Sequence, residues 1–218
     1  MNYTFNFTPV WQNWPLLLEG LALGLGLATL SIAIGSFAGL VLAFCATGKH
    51  MALRALAFGY VSIVRNLPIL VIVLFIFFGL PQLGLAFDKS TSFILALSLY
   101  AAAYMTEVFR AGLLGVPPGI SEAGQAIGLT PLSIKYYVVL PVMLRNAMPA
   151  FANNFVSLFK DTSLAAAIAV PELTFYAQKV NSESFRVLEV WSVTAALYIA
   201  TCYLISLLLR GLESRLRL

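Results

Sequence analysis

Four consecutive residues, Lys160-Asp161-Thr162-Ser163, stand inside an otherwise apolar stretch and carry the densest chemistry in the chain. Ionisable side chains at membrane depth are costly, so they persist where they are paired, solvated in a cavity or functional. Asn153 precedes Asp161 by eight residues, just over two helical turns, so on a helix the two point the same way. A carboxylate, two hydroxyls and an amide together suit a zwitterionic or cationic small molecule. The alternative is a structural Lys160/Asp161 pair that seals helix contacts. Arg65 and Asn66, just before Leu67-Pro68, form a second candidate. A guanidinium there clamps a carboxylate through two parallel hydrogen bonds, or else anchors the span at the inner membrane interface. Glu107 and Arg110 are three apart and pair on one helix face.

Other chemistry is absent from the sequence. Gly48-Lys49-His50 lacks the upstream glycine and the following hydroxyl of a phosphate-binding loop, so ATP hydrolysis by that route is not expected. There is no G-x-S-x-G elbow, no H-E-x-x-H pair and no cysteine cluster. The single histidine, His50, sits beside a loop. Cys45 and Cys202 lie in apolar runs and read as small core residues rather than a disulfide. No catalytic residue, no metal site and no cofactor held by this chain are expected.

The elements that must position these residues are set by composition. Of the 218 residues, 61% are hydrophobic and only 10% charged, and mean hydropathy is +0.92. A soluble domain carries about 25% charged residues. The expected class is an all-α integral membrane protein, with residues 1–218 forming one domain. Residues 1–15 are short, polar and aromatic. They lack the basic start of a signal peptide, and Tyr3, Trp11 and Trp14 suit the membrane interface. Apolar runs long enough to span fall at about 16–46, 55–80, 93–114, 148–170 and 190–209. The second is interrupted at Asn66 to Pro68, where regular helix is not expected. The segment 171–188 reads as a polar loop.

Charge placement orients the five spans. With the amino terminus outside, inner loops and tail hold Lys49, Arg54, Arg110, Lys135, Arg145, Arg210, Arg215 and Arg217, against Lys89, Lys179 and Arg186 outside. Eight against three favours amino terminus out and carboxyl terminus in.

The one long polar interruption between the apolar halves, residues 121–141, then faces the cytoplasm. Pro117-Pro118-Gly119 stops the preceding helix. Ser121 is expected to cap a short helix over about 121–130, with Glu122 in its first turn. Gly124 and Gly128, four apart, are expected to share a face and leave a shallow strip open to another protein.

The order Glu122-Ala123-Gly124, then Gly128, then Val138 and Leu140-Pro141 resembles the EAA signature of ABC importer permeases. That pattern reads E-A-A, three residues, G, nine residues, I-x-L-P. The chain departs from it at Gly124, for the second alanine, and at Val138, for isoleucine. Other stretches resemble the polar amino acid uptake branch. They are Arg65-Asn66-Leu67-Pro68 where R-G-T-P is common, Tyr104 to Gly112, Lys160 to Leu164, and Val170-Pro171-Glu172-Leu173.

The resemblance implies a type I importer (MetI-like) fold of five transmembrane helices in a bacterial inner membrane. It implies a homo- or heterodimer of permeases with a cytoplasmic ATPase dimer that binds ATP and magnesium, and an external solute-binding protein. No nucleic-acid partner is expected. It assigns Glu122, Ala123, Gly124, Gly128 and Leu129 to ATPase coupling. It adds weight to Asp161, Thr162 and Ser163, with Asn153 and Asn66, as lining a path for a polar amino acid or close relative. Alternative solutes are an opine or an organosulfur compound. A passive channel, a secondary carrier or a non-transporting scaffold are the competing classes.

Overall fold

The computed structural model describes residues 3–216, and every regular element among them is helical. Residues 1 and 2 of the amino-terminal segment and Arg217 of the inner-side charge count lie outside the described residues.

Short α1 (Thr8–Gln12) leads into α2 (Trp14–Thr47), a 34-residue helix apolar on all sides. α3 (Met51–Arg65) is amphipathic and buries Ala57 and Val61. It stops where Asn66 donates its side-chain amide to the Ser62 carbonyl at 2.7 Å. Pro68, with an extended backbone and no N–H to give, starts α4 (Ile69–Leu74). A π turn (Phe75–Gly79) and a 3-10 turn (Leu80–Leu83) follow. α5 (Lys89–Leu114) opens on Asp88, whose carboxylate accepts from the Ser90 and Thr91 amides. Next come α6 (Pro118–Ala126), α7 (Pro131–Ser133) and a π turn (Ile134–Val139). α8 (Leu140–Asp161), a 3-10 turn (Thr162–Ile168), α9 (Leu173–Ser184) and α10 (Val187–Leu216) complete the chain.

Three of these helices are long and apolar enough to cross a membrane, namely α2, α5 and α10. A fourth span arises if Met51–Arg65 and Ile69–Leu83 count together as one broken span. α8, loaded with Arg145, Asn153, Asn154, Lys160 and Asp161, is not among them. The expected span at 148–170 is also displaced. The helix starts at Leu140 and continues through Pro149, which costs one backbone hydrogen bond without ending it. It tightens where the Thr162 and Ser163 hydroxyls donate back to the Phe159 and Lys160 carbonyls, at 2.7 and 2.8 Å.

The chain divides into two compact units. One comprises Met1–Ile32, Pro68–Ser98 and Val156–Ile205. Its core gathers Val10, Leu17, Leu173, Ala177, Val180 and Val190. The segment expected as a loop at 171–188 is therefore corrected: most of it is α9, whose Leu173, Ala177 and Val180 bury one face at helical spacing. Glu172, fully buried, caps that helix by accepting from the Thr174 and Phe175 amides at 2.9 and 2.8 Å and from the Tyr198 hydroxyl at 2.9 Å. Gly20 permits the approach, since a Cβ there would lie 2.7 Å from the Glu172 carbonyl carbon. The amino-terminal segment does more than sit at an interface. Tyr3 Oη and the Asn6 amide both donate to the buried Glu189 carboxylate, and Arg186 donates to the Thr4 carbonyl at 3.0 Å.

The other unit comprises Ala33–Leu67, Leu99–Phe155 and Ser206–Leu218. Small residues let its helices pack backbone to backbone. A Cβ on Gly39 would lie 2.9 Å from the Ala102 carbonyl, and one on Gly112 would lie 2.8 Å from the Met143 carbonyl.

Candidate functional site

Two arrangements in the second unit and one in the first hold the residues singled out above. The polar interruption forms α6 earlier than expected. Pro118 supplies the first helical position and Pro117 its cap, so Ser121 and Glu122 lie beyond the first turn. The glycines do not form an open strip. Gly124 is buried, and a Cβ there would sit 3.0 Å from Ile134 Cγ1 and 3.7 Å from Leu129 Cδ1. Gly128 lies past the helix end at φ +81°, the left-handed conformation that closes a helix. Its amide donates to the Gln125 carbonyl at 2.9 Å, and that of Leu129 donates to the Gly124 carbonyl at 3.0 Å. Gly124, Gly128 and Leu129 thus shape and clamp the segment. The outward face is carried by Glu122, Ala123 and Ile127, and Ile127 is 77% exposed.

A polar cleft of about 470 Å³ lies between α3 and α5, walled by Arg65, Asn66, Ser62, Tyr104, Glu107 and Arg110, among others. Arg110 grips Glu107 through Nε at 3.0 Å and Nη2 at 2.6 Å. Arg65 lies over the Tyr104 ring, 5.1 Å from its centroid, and forms no ion pair among the described residues. The Tyr104 hydroxyl in turn meets that of Tyr100 at 3.0 Å. The Glu107 carboxylate is thus paired by Arg110, and the Arg65 guanidinium is held against the Tyr104 ring. Tyr100 was not singled out from the sequence, although Tyr100, Tyr104 and Glu107 follow one helix face by spacing. Ile127 had no comparable signal.

In the first unit, Asp161 is half-buried at the end of α8 and Lys160 is exposed. No ion pair joins them among the described residues. Ser163 is half-buried, whereas Thr162 is buried, its hydroxyl 3.4 Å from where a Gly24 Cβ would stand. Asn153 is exposed on α8 and is not a wall of the Arg65 cleft. The path candidates therefore divide between the two units, with Asn66 and Asn153 in one and Asp161 to Ser163 in the other.

Residues 14–218 match the family described as binding-protein-dependent transport system inner membrane component. The chain belongs to this family. It is 34% identical over 216 residues to the glutamine transport system permease protein GlnP of Escherichia coli (strain K12), covering 98% of this chain and 99% of that protein. It is 36% identical over 204 residues to the L-cystine transport system permease protein TcyB of Bacillus subtilis (strain 168), covering 93% of this chain and 87% of that one. A solved structure of an amino acid ABC transporter with histidines aligns at a TM-score of 0.89 and 31% identity, covering 98% of this chain and 100% of the other. The inward-facing MetNI methionine ABC transporter shares the fold, at a TM-score of 0.80 and 22% identity, over 94% and 98% of the two chains. This permease is thus an inner-membrane component with the MetI-like fold, in a family of permease subunits that are not themselves catalysts.

Proposed function

We propose that the chain is the membrane subunit of an ATP-driven importer that carries a polar amino acid or close relative inward across the bacterial inner membrane. The observation that carries this reading is the clamped α6 segment. Gly124 seats it on Ile134, Gly128 turns the chain back, and Ile127 projects from the outer side. A short helix fixed at both ends transmits a push rather than absorbing it. The positive-inside count supports a cytoplasmic position for it, where an ATPase dimer holding ATP and magnesium would meet it. Glu122, Ala123 and Ile127 then make the contact, while Gly124, Gly128 and Leu129 hold the shape. In this reading the polar α8 makes a fifth crossing beside α2, the broken α3–α4 pair, α5 and α10, and a second permease subunit and an external solute-binding protein complete the assembly.

The Arg65 cleft supports the substrate class. A free guanidinium beside an amide, a phenol and a neutralised carboxylate suits the carboxylate end of an amino acid. Asp161 and Ser163 supply acceptors for a cationic end elsewhere on the path, with Asn153 and Asn66 as further polar groups. The names of the relatives, with glutamine and cystine in them, agree with this class.

The test is uptake in proteoliposomes containing the chain with its ATPase and binding protein. Ile127→Asp is expected to leave the purified chain folded and to reduce ATP-dependent uptake at least tenfold. Undiminished uptake would reject α6 as the coupling point.

A further inference from the structure

Three cavities of the second unit run into one another and share Phe44 and Lys135 as common walls. Together they form a groove where the end of α2 meets the start of α3 and the π turn before α8. Its chemistry is lopsided. Lys49, Lys135 and His50 contribute cationic or ionisable nitrogens, and no aspartate or glutamate lines any of the three cavities. Lys49 and Lys135 are exposed and form no ion pair among the described residues. Thr47, Ser121 and Gln125 add neutral polar groups, and the remaining side chains are mostly apolar, notably Val41, Phe44 and Leu140.

The apolar surface does not end at the groove. Ile34, Phe37 and Val41 are exposed on α2, and Phe37 is exposed at 73%. With Phe44 they recur at three-, four- and three-residue steps, so they share one helix face. That face extends about 15 Å along the helix axis, comparable to much of an acyl chain. A cationic head region that opens onto an apolar track matches the two ends of a phospholipid. A free anion would have no use for the track. A second copy meeting this groove through the same groove would set lysines against lysines.

We infer that this groove holds an anionic phospholipid, its phosphate between Lys49 and Lys135 and an acyl chain along Val41, Phe37 and Ile34. Such a lipid would brace the end of α2 against the π turn that follows α6 and carries Ile134.

The test uses the full chain in nanodiscs of mixed phosphatidylcholine and phosphatidylglycerol, with a photoreactive benzophenone side chain installed in place of Phe37. After illumination, intact mass identifies the adduct. The expected product is a single phosphatidylglycerol adduct, enriched over its share of the bilayer by about tenfold or more, since each lysine near the surface contributes about 1 kcal/mol toward an anionic headgroup. The enrichment should fall to the bilayer ratio in Lys49→Gln/Lys135→Gln. Both lysines are exposed, so that variant keeps its core. Adducts that simply follow bilayer composition in the unsubstituted chain would overturn the inference. So would undiminished enrichment in the double variant, or a covalent dimer at double mass.

Discussion

Gly124 and Ile134 are packed so closely that a single added methyl group on the glycine would stand 3.0 Å from Ile134 Cγ1. The contact joins α6 to the π turn ahead of α8, and it makes residue 124 a buried packing point of that segment. Gly124→Ala gains about 1 kcal/mol of helix propensity and loses a similar amount in crowding, so its thermal midpoint should change little. Gly124→Leu should cost about 1–3 kcal/mol through overpacking and open the segment to proteolysis. Limited proteolysis between residues 116 and 134 checks both, and equal resistance of the two variants would refute the packing argument.

Arg65→Lys keeps the positive charge but loses the planar fork and the stacking on Tyr104. If the cleft takes a carboxylate, half-saturating substrate for uptake should rise roughly tenfold, the equivalent of about 1.4 kcal/mol. Asp161→Asn should cut uptake while leaving assembly with the ATPase intact, as judged by co-purification. Normal transport by the Asp161 variant would make that residue structural.

Glu172 offers a test of stability in the other unit. Its buried carboxylate satisfies the Thr174 and Phe175 amides and the Tyr198 hydroxyl. Glu172→Ala removes the cap and orphans those donors, with an expected loss of about 2 kcal/mol or more in detergent unfolding. Tyr198→Phe removes one donor only and should cost less. A smaller loss for the alanine variant than for Tyr198→Phe would contradict this account.

At the start of α5, the Thr91 hydroxyl and the Thr91 and Ser90 amides hold the exposed Asp88 carboxyl below the usual aspartate range. The folded value is lowered, so the cap's contribution is present above the ordinary aspartate pKa of about 3.9 and is lost as pH falls through the depressed one. Amide exchange at Ser90 and Thr91 should accelerate in that acid window. Asp88→Asn, which caps without titrating, should abolish the acceleration.

Several features of the fold were legible because they depend on near neighbours in the chain. Pro68 cannot donate, so a break at Asn66 to Pro68 follows from covalent structure alone. Glu107 and Arg110 meet because three residues make nearly one helical turn. The spacing from Glu122 through Gly128 to Pro141 belongs to the same kind of pattern and pointed to the permease family. α9 was also within reach, since Leu173, Ala177 and Val180 follow helical spacing behind a capping glutamate, but the polar residues between them masked the signal.

By itself, then, the sequence determined the apolar all-helical class, the break at Asn66 to Pro68 and the family. Each is a property of composition or of residues within a turn or two. Only the tertiary structure decided which side of α6 is buried, because that depends on Ile134, ten residues away and beyond a reversal at Gly128. It alone brought Tyr3 and Asn6 onto Glu189, and Arg65 onto Tyr104. These pairs are distant in the chain. No local spacing rule selects them, because their meeting is set by how apolar helices pack around the small residues that let them close.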